Sequence, residues 1–125
     1  MPKFLALASY TSEGIKGLTK AGGTGRRAVA DKLLKSVGGR LEAFYFDFGE
    51  NTAYVIFDVP DNPTAAAISL AVAGTGVIRI KTIVLLTPEE MDQAIKKPFH
   101  YEPPWWEVQE VAKDIDRLAG EGEKD

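Results

Sequence analysis

Two aromatic-rich runs, AFYFDF and AYVIF, flank Gly49-Glu50-Asn51-Thr52 and predict a hairpin with arms over 40–48 and 53–59. Before it, residues 3–10, KFLALASY, predict a first strand. Thr11-Ser12-Glu13 offers capping side chains for a helix starting near residue 13. Helical spacing breaks at Gly22-Gly23-Thr24-Gly25, resumes at Arg26 through Val29, Ala30, Leu33 and Val37, and stops at Gly38-Gly39. One broken helix, or two short ones, is therefore expected over 13–37. Asp61-Asn62-Pro63 opens a second helix, TAAAISLAVAG, whose small residues let it lie close to a sheet. Residues 77–86, VIRIKTIVLL, are rich in β-branched side chains and predict a fourth strand. Thr87-Pro88-Glu89-Glu90 then reads as an N-cap, a proline at the first helical position and two acids in the first turn.

The order is β-α-β-β-α-β with appended helices, the split pattern of ferredoxin-like folds. It predicts one α+β domain over 1–102, with the first and third strands as parallel neighbours. PFHYEPP, residues 98–104, reads as an extended connector. Trp105, Val108, Val111, Ala112, Ile115 and Leu118 keep helical spacing, so 103–125 reads as a C-terminal amphipathic helix ending in a disordered GEGEKD tail.

Pairing Phe48 with Ala53, Phe46 with Val55 and Phe44 with Phe57 makes one hairpin face wholly apolar, the register that burial favours. Ala43, Tyr45, Asp47, Tyr54, Ile56 and Asp58 then share the opposite face. Alternation in the fourth strand adds Val77, Arg79, Lys81 and Ile83 to it. This mixture is too charged for a core and too apolar for a plain solvent face. It suits a sheet packed on another sheet around a partly polar cavity. Tyr45, Asp47, Tyr54, Asp58, Arg79 and Lys81 are thus the candidate ligand-binding residues. Asp47 reads first as a cavity or interface carboxylate balanced by Arg79 or Lys81, and second as a ligand group.

The length of 125 residues suits a single domain. A net charge of −3 provides no global basic field for nucleic acid or an anionic membrane. Cysteine is absent, which excludes disulfides, thiolate nucleophiles and cysteine-held metal, and accords with a reducing cytoplasm. MPKFLALASY lacks the architecture of a signal peptide, and no apolar run has the length of a bilayer span. A soluble, cytoplasmic protein is expected.

GGTGRR lacks the ending of a P-loop and follows no strand; Arg26 and Arg27 beside its amides make a weak anion-site candidate, against the plainer reading of a helix break with two solvated arginines. His100 is the only histidine, too few ligands for zinc or iron, so no metal is expected. No cofactor is expected either. The serines have no nucleophile-elbow context. Trp105-Trp106 suits either the domain's own core or an intersubunit contact.

MPKFLALASYTSEGIKGL, GGTGRRAVADKLLKSVGGRLEAFYFDFGENTAYVIFDVPDN and VIRIKTIVLLTPEEMDQAIKK together resemble the GYD domain family over roughly 1–102. The most specific pieces are ASYTSEG, the GG-x-x-RR segment, GGRLEAFYF and LLTPEEMDQA. Where the family's name-giving motif carries tyrosine and aspartate after its glycine, Gly49 is followed here by Glu50, Asn51 and Thr52. The resemblance implies a small prokaryotic protein of the dimeric α/β-barrel type, a homodimer or larger homo-oligomer, and implies no particular activity. The leading reading is a small-ligand-binding oligomer. A second is a cofactor-independent oxygenase or isomerase-like enzyme, with Asp47 or Asp58 as base and Tyr45 or Tyr54 as donor to an enolate-like intermediate. A third is a purely structural assembly protein.

Overall fold

A computed structural model of the chain describes residues 1–104, 115, 117 and 118. The expectations for Trp105-Trp106, for most of the helical pattern over 105–118 and for the GEGEKD tail lie outside the described residues. The chain divides into two compact units, 1–85 and 86–125.

The first unit runs β1 (Lys3–Tyr10), α1 (Ser12–Ser36), β2 (Arg40–Phe46), β3 (Thr52–Asp58), α2 (Asn62–Ala73) and β4 (Ile78–Leu85). Its strands form one four-stranded sheet in the order β2-β3-β1-β4, with every neighbouring pair antiparallel. The first and third strands are indeed neighbours, but the expectation that they run parallel is corrected. α1 carries the chain from β1 to β2 in the same direction, and the hairpin then reverses β3, which inserts between them.

In an antiparallel pair, residues directly opposite share a face. Phe4 sits opposite Phe57 and Val84, Ala6 opposite Val55 and Thr82, and Ala8 opposite Ala53 and Ile80. This face receives both helices. Phe4, Ala6, Phe57 and Val59 form the core with Leu34 from α1 and Ala65 and Ile68 from α2, and the Phe4 and Phe57 rings stack at 5.5 Å. The other face carries Lys3, Leu5, Leu7 and Ser9, with Ile56, Tyr54, Ile83, Lys81 and Arg79 opposite them.

The hairpin register differs from expectation by two residues: Phe46 faces Ala53, Tyr45 faces Tyr54 and Phe44 faces Val55. The cause is Asp47. Its Oδ1 accepts the Thr52 amide at 3.0 Å and the Glu50 amide at 3.2 Å, while its own amide donates to the Thr52 carbonyl at 2.9 Å. Those bonds close the loop over 48–51 and put Phe48 at the tip, 98% exposed. A two-residue shift preserves the faces, so Phe44 and Phe46 stay with Val55 on the helix side. Further along, the ladder shifts at Glu42, so Leu41 faces Phe57 and Arg40 faces Asp58. The extra residue turns Leu41 from the charged face onto the core.

α1 is broken where expected: Gly22 takes φ 77° and ψ 165°, which stops one helical segment before the next begins. Thr11 caps the first segment by accepting the Gly14 amide, and both the Thr11 amide and its hydroxyl donate to the Val77 carbonyl at 3.0 Å. Gly14 is buried against that same carbonyl, leaving no room for a β-carbon. At the other end the Gly39 amide donates to Leu34 O and the Gly38 amide to Lys35 O, a Schellman closure. Asp61 caps α2 through the Thr64 amide at 2.9 Å.

The second unit contains α3 (Pro88–Ile95), opened by a full capping box in which Thr87 and Glu90 satisfy each other's amides. His100 is exposed and 3.2 Å from Glu102. Among the described residues no group of acidic, histidine or cysteine side chains could hold a metal ion, and no helix is long and apolar enough to cross a membrane.

Candidate functional site

Strand β1 reads Phe4, Ala6, Ala8 on its helix-facing side, and β3 contributes Ala53 next to them. These short side chains lie at the middle of the sheet, beneath the line between α1 and α2. A cavity of about 100 Å³ remains there, walled by Val29, Ala30 and Leu33 of α1, Ile68 and Val72 of α2, and Phe44, Val55 and Ile80 of the sheet. Natural interiors are close-packed, so unfilled space between helices and sheet is a place where a small molecule fits.

The cavity has a polar end. Tyr10, the last residue of β1, and Arg26, in the second segment of α1, both line it. Arg26 Nε donates to the Tyr10 hydroxyl at 3.4 Å. The Tyr10 ring leans on Phe46 at 6.5 Å, and its amide is held by the Asn51 carbonyl at the hairpin. Among the described residues no acidic side chain lines the cavity and Arg26 forms no ion pair. Val29, half-exposed, marks where the cavity reaches solvent.

The sequence candidates fall elsewhere. Arg27, next to Arg26 but about 100° around the helix, borders a separate open groove with Asp31, Glu42 and Tyr45. The two arginines are therefore not brought to one anion. Tyr45 is 69% exposed at the β2 edge. Asp47 and Tyr54 do meet, with the Tyr54 hydroxyl donating to Asp47 Oδ2 at 2.7 Å. The Thr52 amide, then the Tyr54 hydroxyl, hold the Asp47 carboxyl below its ordinary pKa, and the same bond raises the Tyr54 phenol. Neither Arg79 nor Lys81 pairs with Asp47. They belong to β4, at the opposite edge of the sheet from β2, three inter-strand spacings or roughly 14 Å away.

Asp58 is buried, with Lys3 at 3.0 Å and Arg40 at 3.2 Å. Burial alone pushes its carboxyl up; hydrogen bonds and charge from Lys3 and Arg40 outweigh that and bring it below the ordinary value. Lys3 also bonds Glu42, and that bond, ahead of the one to Asp58, raises the Lys3 ammonium. This is a structural cluster binding β1, β2 and β3 at one end.

A family model for the GYD domain matches residues 4–95. The chain belongs to the GYD domain family. No curated protein and no solved structure matches it. Within this GYD domain, the stretches most specific to the resemblance have structural work assigned to them. ASYTSEG places Tyr10, caps α1 with Thr11 and supplies the close approach of Gly14 to Val77. In GGTGRR, Gly22 makes the kink and Gly23 lies where a β-carbon would come within 3.3 Å of the Phe46 ring, so this segment sets the path of α1 over β2. The Gly49-Glu50-Asn51-Thr52 turn of this GYD domain is organised by Asp47 before it, with Asn51 at φ 57°.

Tyr10 and the alanine floor are functional candidates that sequence reasoning missed. A signal was present: in KFLALASY one alternate set of positions is Phe, Ala, Ala, and small residues on a helix-covered face leave space.

Proposed function

We propose that this GYD domain protein binds a small molecule in the cavity between its helices and its sheet. The observation that carries the reading is the polar end, Arg26 with Tyr10, on a largely apolar cavity whose other polar lining side chain, Thr82, is engaged with the Ser69 hydroxyl at 2.6 Å. The enzyme reading requires a base facing the bound molecule. Among the described residues the cavity lining supplies no carboxylate or histidine, Asp47 is committed to the hairpin turn, and Asp58 is committed to two cations. A purely structural role gives no account of the unfilled space. Titration with benzyl alcohol and with 3-methylbutan-1-ol, followed by amide chemical shifts, is expected to move Ala8, Ala53 and Ile80. An Ala8→Leu variant fills the void and should abolish those shifts while remaining folded. Shifts confined to residues outside the cavity would dispose of the reading.

We further propose a ferredoxin-like architecture of the dimeric α/β-barrel type, working as a homodimer or larger homo-oligomer in the cytoplasm. Support for the architecture comes from the β-α-β-β-α-β order and the central placing of β1 and β3. Support for self-association comes from the sheet face opposite α1 and α2, where Leu5, Leu7, Ile56 and Ile83 form an apolar strip between Lys3 with Asp58 at one end and Lys81 with Arg79 at the other. Sedimentation at micromolar concentration is expected to give a dimer or larger species, and a monomer alone would refute this part. The cytoplasmic setting rests on the cysteine-free composition.

A further inference from the structure

We infer that the cavity selects a compact apolar molecule bearing one anionic oxygen group, a carboxylate with a body no larger than a single ring, whose head group is received by Arg26 and Tyr10. The inference rests on the binding reading above and adds the class of ligand.

Size sets the body. Engineered apolar cavities of roughly 150 Å³ take up benzene, and this one offers about 100 Å³ together with its opening beside Val29. A single ring or a short branched chain fits; a fused-ring system does not. The floor of Ala6, Ala8 and Ala53 and the walls of Leu33, Ile68 and Ile80 are apolar, and the hydroxyl of Thr82, which also lines the cavity, is already engaged with Ser69 at 2.6 Å.

Charge sets the head group. Arg26 is half-buried at the edge of an apolar space, and one of its donors, Nε, goes to the Tyr10 hydroxyl. Its two terminal NH₂ groups stay available, in the planar fork that matches a carboxylate. The Tyr10 oxygen accepts from Arg26, so its own proton is available for a second oxygen of the same ligand. A guanidinium beside low-dielectric walls attracts an anion more strongly than one in open water. Among the described residues no acidic side chain lines the cavity, so a cationic head group would meet Arg26 with no opposite charge beside it.

Three near-isosteres separate charge from shape: benzoate, benzamide and benzamidinium. Each is titrated into the full chain, with affinity read from the amide shifts of Ala8, Ala53 and Ile80. Benzoate is expected to bind at least about tenfold tighter than benzamide, as a charge-assisted contact warrants, and benzamidinium weaker than both. Arg26→Gln should remove the benzoate preference, with a much smaller loss for benzamide, whose neutral oxygen gains less from the guanidinium. Tyr10→Phe should remove part of the benzoate preference. Equal affinities for benzoate and benzamide in the unaltered protein, or a benzoate preference that survives Arg26→Gln, would overturn the anionic head group while leaving the cavity a binding site. If none of the three moves the cavity amides, the underlying binding reading fails with it.

Discussion

Gly39→Ala is expected to lower the unfolding free energy by about 3 kcal/mol, among the larger single-residue losses this fold should show. A β-carbon at this position would lie 2.5 Å from the Asp58 carbonyl oxygen, 2.9 Å from Val59 Cγ1 and 3.2 Å from the Leu34 carbonyl oxygen. Two of these are backbone atoms, one in the helix end that Gly39 closes and one at the end of β3. Neither has a rotamer to yield. Relief requires pulling α1 away from the sheet at Leu34, which is 3% exposed and central to the core. Gly17→Ala is the matched control. Nothing lies within 4 Å of a β-carbon there, and the residue is inside the first segment of α1. That change is expected to raise stability by about 0.5–1 kcal/mol through helix propensity alone. Urea unfolding followed by circular dichroism compares the two midpoints. A Gly39→Ala variant as stable as the parent would mean that the close approach of helix end and strand is not a constraint.

Asp58→Asn should cost about 2 kcal/mol at neutral pH, because the amide keeps the shape and loses two charge-assisted bonds at a buried position. The pH dependence has a defined sign. The folded carboxyl titrates below its ordinary value, so its contribution is complete above the unfolded pKa of about 4 and disappears as pH falls through the folded one. Asp47 has the same direction of shift, caused first by the Thr52 amide and then by Tyr54, and adds to the same acid limb. Urea unfolding from pH 7 down to acid should therefore show a steep loss in the parent and a flatter one in Asp58→Asn. Parallel pH profiles would show that Lys3 and Arg40 do not stabilise the charged form.

Much of the architecture was readable in the chain because its signals are local. Thr11, Asp61 and Thr87 each announce a helix start within three residues, and Gly22 and Gly38-Gly39 announce a break and a stop. The assignment of Phe44, Phe46, Val55 and Phe57 to one face also held, because the period-two pattern is insensitive to even shifts. That insensitivity is also why the register itself was missed. Only the bonds from the Asp47 side chain to Glu50 and Thr52 distinguish the two pairings, and alternation does not contain them. The relative direction of β1 and β3 depends on which strand inserts where, a choice made by long-range packing. The charged side chains that mark a site in the sequence lie on one sheet face, whereas the cavity under the helices lies on the other, where alanines leave room. A run of chemistry-bearing side chains draws attention, while a missing side chain leaves a fainter mark.

The position of β1 between β3 and β4 also bears on how the chain reaches this state. Phe4 meets Phe57 on one side and Val84 on the other, so β1, made before β3 and β4, waits for both before its two edges are paired. The β2-β3 hairpin closes over a short loop and needs no distant partner. Ladders between residues this far apart in sequence form slowly, and until β4 is made a hydrophobic strand presents an unpaired edge to its surroundings. Chains ending before residue 85 are therefore expected to self-associate more readily than the full sheet, because β1 then keeps one edge open.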